Sequence, residues 1–400
     1  MSRPLTSHQH AALRTFAQRF GRPASLLVTA PGRINLIGEH TDYNDGLALP
    51  CAIDLATTIA AAPTHGNVST IVADNLDLTW RGHLNAHKKP LDRSDQYAWM
   101  NYVLGAACLV PQAGQSLHAV DACISSTIPI GSGLSSSAAL STAAALLFQE
   151  LAGTQHTRLD LAHLAQKVEH TFAGVPCGIM DMLTSLHAQQ KHALLLDCEH
   201  ATFEHIQLPE PGRWTLAIID TGISHELASS EYAQRRATCA EVAGALDVPS
   251  LRHATMSMLD DALQAQRITS VAYGRAVHVV MENTRVLIAA TALMRDDLAM
   301  VAQQMDASHD SLRDLYQVSC PELDILIETA RAYREMSSQA TISARMTGGG
   351  FGGCAIICAP AEHIYPVIER CCSDFENRFG CAPESAHVVQ PSAAAEVHAL

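Results

Sequence analysis

Basic residues are in short supply. The 400 residues hold 26 Lys and Arg against 40 Asp and Glu, a formal charge of −14. A phosphate backbone needs a basic surface, so general nucleic-acid binding is excluded, although one local basic pocket for a phosphorylated ligand is not. No unbroken apolar run reaches membrane-spanning length. The richest stretch, Val277 to Met294, is broken by His278, Glu282, Asn283, Thr284 and Arg285 and reads as a buried helix rather than a membrane span. The opening residues, Met1 to His8, lack the apolar core of an export signal, which points to the cytoplasm. None of the twelve cysteines forms a C-x-x-C pair, and the 21 histidines include no H-E-x-x-H. Reduced, mostly buried thiols and no metal site of those types are expected.

What remains is a chain that is 48% hydrophobic and 16% charged, with no repeat and no low-complexity linker. That composition suits compact domains, and the length suits two or three. A helix is predicted after Thr6 or Ser7, with Leu13, Phe16 and Phe20 on one face and Gly21 as its stop. Strands are predicted over Leu26–Leu36, Leu47–Ala62, Ala119–Ile128, Ala193–Asp197 and Trp214–Asp220, and again over Thr341–Arg345, Cys354–Ala359 and His387–Gln390. Ala138–Leu151 and Leu159–Phe172 read as helices, and helices dominate from Glu231 to about Met336. Separated strand and helix blocks indicate an α+β fold. Ala173-Gly-Val-Pro-Cys-Gly178 interrupts two helices and suggests a boundary, giving an N-terminal domain over 1–178 and a C-terminal domain over 179–400.

Two glycine loops stand out. The first, Pro129-Ile-Gly131-Ser132-Gly133-Leu134-Ser135-Ser136-Ser137, lies between a strand and an alanine-rich helix. Glycines let backbone approach a phosphate, the helix start offers free N–H groups, and the serines add hydroxyls, one of which can ligate Mg²⁺. It is not a P-loop, for it lacks the G-x-x-x-x-G-K-[ST] pattern. A plain serine-capped turn stays open as an alternative. The second loop, Thr347-Gly348-Gly349-Gly350-Phe351-Gly352-Gly353, matches G-x-G-x-x-G literally. A strand-like segment follows it where a dinucleotide-binding fold needs a helix, so a Rossmann oxidoreductase is rejected. So many glycines suggest backbone that closes tightly over something.

Polar residues gather beyond the first apolar strand: Arg33, Glu39, His40 and Asp42. Together they can converge on a polyol, although on composition alone a solvated loop is the stronger reading. Asp181, at an apparent helix start, is either a dipole-friendly first-turn acid or the group that faces an attacking hydroxyl. Glu169 is either an exposed helix carboxylate or part of a Mg²⁺ site with a loop serine.

Taken together, the segments resemble the galactokinases of the GHMP kinase superfamily. Gly32-Arg-Ile-Asn-Leu-Ile-Gly-Glu-His-Thr-Asp-Tyr-Asn44 is similar to the galactokinase signature, Pro129–Leu140 to the second superfamily motif and Met346–Gly353 to the third. Gly174–Asp181, Leu227–Tyr232 and Val318–Asp324 also match. The resemblance implies a two-domain architecture with the active site in the cleft, and a last strand near 385–400 that can return to the first domain. It implies transfer of phosphate from ATP to the anomeric hydroxyl of galactose. Asp181 and Arg33 would be catalytic. Arg33, Glu39, His40, Asp42, Asp181, Tyr232 and Gly349 would surround the sugar. Gly131 to Ser137, with Trp99 and Tyr102, would bind the nucleotide, and Ser137 and Glu169 would hold Mg²⁺. The implied partners are galactose and ATP, and no nucleic acid and no membrane are expected. The sequence leaves the oligomeric state open, a monomer being slightly favoured.

Three positions depart from the galactokinase pattern. Met182 replaces a usual Gln, Ser141 a common acid, and Ser224 a common base. Met182 and Ser224 are therefore the candidates for altered sugar placement. Two alternatives remain: a kinase of another sugar, and a non-catalytic sugar sensor. The intact Ser137-Ala138 pair and Asp181 argue against the sensor.

Overall fold

The computed structural model describes residues 4–84, 89–112, 117–224, 228–337 and 341–400. Thr6 and Gln9 form a capping box that starts helix α1 (Ser7–Phe20), and Gly21, in the left-handed region, ends it. The helix buries Ala12 and Phe16 on a mixed sheet of six strands. Their order is β13 (Glu396–Ala399), β1 (Leu26–Asn35), β3 (Pro50–Pro63), β6 (Val120–Ser126), β4 (Ser69–Ala73) and β5 (Leu78–Gly82). Only the β4–β6 pair is parallel. The β1–β3 register shifts between Pro31 and Arg33. Such an irregularity re-aims a side chain, and here the side chain is Arg33.

Helices α2 (Met100–Leu109), α3 (Ser136–Ala152), α4 (Arg158–Val168) and α5 (Met180–His187) cover this sheet and build the larger core with it. A small sheet, β2 (Leu47–Ala48), β7 (His192–Asp197) and β8 (Thr202–Gln207), joins the same core. The smaller core lies on a four-stranded antiparallel sheet, ordered β10 (Ser343–Thr347), β11 (Gly352–Ala359), β9 (Thr215–Ser224), β12 (Ser385–Val389). Against it pack α6 (Ala228–Leu246), α7 (Met256–Gln264), α8 (Ser270–Met294), α10 (Pro321–Met336) and α11 (Ala361–Phe379), while α9 (Leu298–Ser311) runs along α8. Among the described helices only α8 is long and apolar enough to cross a membrane, and half of its apolar window is buried inside the protein.

Most predicted elements recur within a few residues. The Leu159–Phe172 helix is a correction in kind. Regular α-helix stops at Val168, and Glu169–Ala173 form a wider π-turn closed by Gly174 at φ 65. Such turns displace side chains from the regular helical phase, and this one carries Glu169. Strands β4, β5 and β8 and helices α2 and α11 lie outside the predicted elements, whereas β13 is the last strand that the resemblance implies, returning to pair with β1. Helix α2 is apolar almost all round and shows no periodicity, and α11 contains Pro366.

Candidate active site

A cavity of about 670 Å³ opens between the ends of β1 and β10, the N-terminus of α3 and the N-terminus of α5. At its floor Arg33 Nε donates to Asp181 Oδ1 at 2.7 Å, and Arg33 Nη1 donates to the Gly133 carbonyl at 2.6 Å. Ser135 Oγ donates to Asp181 Oδ2 at 2.6 Å. Each carboxylate oxygen thus has its own donor, which fixes the plane of the group. Burial opposes the Arg33 charge, but Asp181, Glu39 and Asp42 around it raise its pKa. Ser135 precedes α3 with φ 64 and makes no capping bond. A serine there ordinarily spends its hydroxyl on the helix N–H groups; this one spends it on Asp181.

Asp42 reaches the cavity beside Gly178, where a Cβ would fall 1.7 Å from Asp42 Oδ2. Burial, with Asp181 and Glu39 nearby, pushes Asp42 up to about 7. His40, at φ 61, bonds through Nδ1 to the Tyr43 hydroxyl at 2.7 Å, and that hydroxyl meets Tyr316 at 2.7 Å. Burial, with His278 nearby, pushes His40 down to about 3, so the ring is neutral at ordinary pH. The Tyr232 ring lies 5.7 Å from His40 and 5.4 Å from Tyr43. Glu39 lines the cavity but is already engaged. Its Oε1 accepts from Thr347 Oγ1 at 3.1 Å and from the Gly348 N–H at 2.8 Å, and the fully buried Arg345 approaches it at 3.6 Å. Glu39 therefore pins the start of the second glycine loop.

At the other end lie Ser136, Ser137 and Glu169. Burial pushes Glu169 up to about 7, Asp181 adds to the rise, and hydrogen bonds from Ser137, Cys177 and Ser141 hold it back. No Arg, Lys or His among the described residues makes an ion pair with this carboxylate. A buried acid with hydroxyls around it and no cation suits a hard divalent metal such as Mg²⁺.

The two glycine loops pack back to back. A Cβ on Gly348 would fall 2.8 Å from the Gly133 carbonyl, and one on Gly353 would fall 2.9 Å from the Ser132 carbonyl. Only Gly348 and Gly349 of the second loop line the cavity. Its glycines thus serve close loop-to-loop contact as well as the space above the site. Of the predicted site residues, Arg33, Glu39, His40, Asp42, Gly131, Gly133, Ser135, Ser136, Ser137, Glu169, Asp181, Tyr232 and Gly349 share this one cavity. Ser132 and Leu134 are buried behind it, Ser132 bonded to the Pro129 carbonyl. Trp99 and Tyr102 are not on its wall, although Tyr102 is close enough for Glu169 to help burial push it up to about 12. Leu227 and the Ser224 side chain lie outside the described residues.

The galactokinase galactose-binding signature matches residues 14–63, the GHMP kinase N-terminal domain residues 101–189 and the GHMP kinase C-terminal domain residues 289–377. A galactokinase of Bos taurus is 41% identical over 363 residues, covering 90% of both chains. The chain belongs to the galactokinase family. A bacterial member, from Chloroflexus aurantiacus, is 39% identical over 91% of this chain and 92% of its own. The crystal structure of Lactococcus lactis galactokinase complexed with galactose superposes with a TM-score of 0.88 at 31% identity, covering 97% of this chain and 99% of that one. Methanococcus jannaschii mevalonate kinase, at 17% identity and a TM-score of 0.63 over 92% of this chain and 98% of its own, shares the fold.

Within the galactokinase family pattern, two departures now have places. Met182 is fully buried in the larger core and does not line the cavity, so it is not a sugar-placing residue. One residue along a helix turns the side chain by about 100°, and Asp181 takes the cavity side. Ser141 is buried in α3, where its hydroxyl donates to the Ser137 carbonyl at 3.0 Å and lies 3.4 Å from Glu169 Oε1. Behind Glu39, Thr347 opens the second glycine loop and Arg345 lies just before the third motif, and neither had a sequence signal that linked it to Glu39.

Proposed function

We propose that the chain transfers the γ-phosphoryl group of ATP to the anomeric hydroxyl of galactose, giving galactose 1-phosphate and ADP. The observation that carries this reading is the Asp181 carboxylate, held oxygen by oxygen by Arg33 and Ser135 in a cavity that also receives the N-terminus of α3. The anomeric oxygen attacks the γ-phosphorus, the bond from that phosphorus to the β–γ bridging oxygen breaks, and ADP departs. Asp181 takes the hydroxyl proton, and Arg33 offsets the negative charge that gathers beside it. Neutral His40, Asp42, Tyr232, Glu39 and the Gly349 backbone orient the sugar hydroxyls. The free N–H groups at the start of α3 and the loop Gly131–Ser137 receive phosphate oxygens. Trp99 and Tyr102, which are off the cavity wall, keep a part near the base only by the family resemblance.

Glu169 and Ser137 would hold Mg²⁺, which neutralises phosphate charge when bound. The site belongs to the cleft of a cytoplasmic enzyme, between an N-terminal part that carries the larger core and extends past residue 178 to take in α5, β7 and β8, and a C-terminal part that carries the smaller core. The test is ADP release from Mg·ATP with galactose, glucose, N-acetylgalactosamine, galacturonate and arabinose. Turnover dominated by galactose is expected. Turnover with another sugar alone would move the substrate and keep the chemistry. No turnover from folded, ATP-binding protein would overturn the reading in favour of a sugar sensor.

A further inference from the structure

We propose that Arg93 is a binding residue for the phosphates of the nucleotide. The inference rests on the ATP-dependent reading of the same cavity and adds a cation to it. Arg93 precedes α2 and lines the cavity with Asp181, Glu169 and the serine loop. It is far in sequence from each of those motifs and belongs to none of them.

Its placement is specific. One guanidinium nitrogen, Nη2, donates to the Gly174 carbonyl. Gly174 sits at φ 65, and a Cβ there would fall 1.7 Å from that nitrogen. The positive φ favours glycine, and the absent side chain leaves the guanidinium room to approach. The charge of Arg93 is otherwise unspent, because no carboxylate among the described residues pairs with it. The neighbouring acids are turned away: Asp92 Oδ1 accepts from the N–H and hydroxyl of Ser94, and Asp95 Oδ1 accepts from the Tyr97 N–H.

The charge balance of the cavity gives this free cation its meaning. Four carboxylates line the cavity, those of Glu39, Asp42, Glu169 and Asp181, and only two guanidinium groups, Arg33 and Arg93. Arg33 is consumed by Asp181 and the Gly133 carbonyl. A nucleotide polyphosphate stays negative even with one divalent cation bound, and the serine loop answers it with dipoles rather than with a full charge. The lysine that a P-loop would supply is absent from the loop. Arg93 is the one lining cation among the described residues left to meet phosphate oxygens, and the guanidinium fork matches their geometry.

A purely structural role is the competing account, since a cation bonded to a carbonyl at a helix end also steadies that helix. The two accounts separate in one experiment. Mg·ADP binding is measured by calorimetry without sugar for the wild type, Arg93→Ala and Arg93→Lys, alongside Tm and both KM values. The proposal expects Arg93→Ala to weaken Mg·ADP about tenfold, as loss of one charge-assisted contact does. Arg93→Lys should recover part of that loss, added salt should weaken the variant's binding less steeply than the wild type's, and galactose KM should stay within about twofold. Unchanged Mg·ADP affinity in Arg93→Ala, with or without a lower Tm, would overturn it and leave only the helix-end role. Because binding is read without sugar, a wrong sugar assignment leaves the result intact. A wild type that bound no nucleotide would instead overturn the kinase reading and this one together.

Discussion

Asp181 and Glu169 are two acids in one cavity with opposite surroundings. Asp181 has a guanidinium on one oxygen and a hydroxyl on the other. Glu169 has hydroxyl and thiol neighbours, no ion-pair partner among the described residues, and burial that pushes it up to about 7. The first is satisfied by the fold itself, so its direction is set before any ligand arrives. The second has no cation in the fold to meet it. Preorganised charge serves a reacting group, and unsatisfied charge serves a site that recruits its own counter-ion. Asp42, also pushed up to about 7, is of the second kind, but it stands beside Gly178, on the His40 side of the cavity.

Removing the satisfied acid is the harshest way to break this contrast. Asp181→Ala should lower kcat by about 10³-fold or more, leave Mg·ATP binding close to wild type, and gain nothing from excess Mg²⁺. Single-turnover kinetics with nucleotide titration checks this, and substantial residual turnover would remove Asp181 from its role.

A pH series sharpens the contrast from the Glu169 side. Glu169 in the fold keeps its proton up to about pH 7, whereas an unfolded glutamate ionises near 4.5. The native state then binds more protons than the unfolded chain between those values, so this group makes stability fall as pH rises through that window. Mg²⁺ favours the ionised form. Metal affinity should therefore fall about tenfold per pH unit below about pH 7, and saturating Mg²⁺ should flatten the loss of Tm on the rising side. Glu169→Gln should abolish both metal effects. Calorimetric Mg²⁺ titrations and melting curves at pH 5 to 8 read them, and pH-independent metal binding would contradict the assignment.

The smallest expected effect concerns the neighbour of Asp181. Met182→Gln restores the residue usual in the family pattern, yet the side chain lies in the core. It should cost about 1–3 kcal/mol of stability by burying an amide, with galactose KM unchanged. A lower galactose KM with unchanged Tm would mean the residue does reach the sugar.

These cases show what a sequence can and cannot disclose. Arg33, Asp42, Ser137 and Asp181, each carried by a galactokinase-like segment, line one cavity together, because a motif carries its residues as a set, and Glu169 joins them from outside the motifs. The direction of Met182 was not legible, since the helical phase around Asp181 depends on which face α5 gives the core. The duty of Ser135 was hidden in a backbone angle: at φ 64 its hydroxyl leaves the cap and turns to Asp181. The π-turn that carries Glu169 has no compositional mark, because the same residues read as an ordinary amphipathic helix. Helix α2 escaped because it is apolar in nearly every direction. Strand β13 was legible only through the family resemblance, for it is four residues long and exists by virtue of the edge of β1 that it fills.

That last pairing also sets a timetable for biosynthesis. Strand β1 lies between β3 and β13, and Leu26 faces Ala399 across the ladder. The strand that delivers Arg33 therefore emerges from the ribosome long before its second neighbour has been translated. Throughout that interval one flank of β1 offers bare N–H and C=O groups to any extended chain nearby. The nascent protein is thus most open to mispairing beside Arg33, and a chain stalled short of Glu396 would keep that flank permanently open.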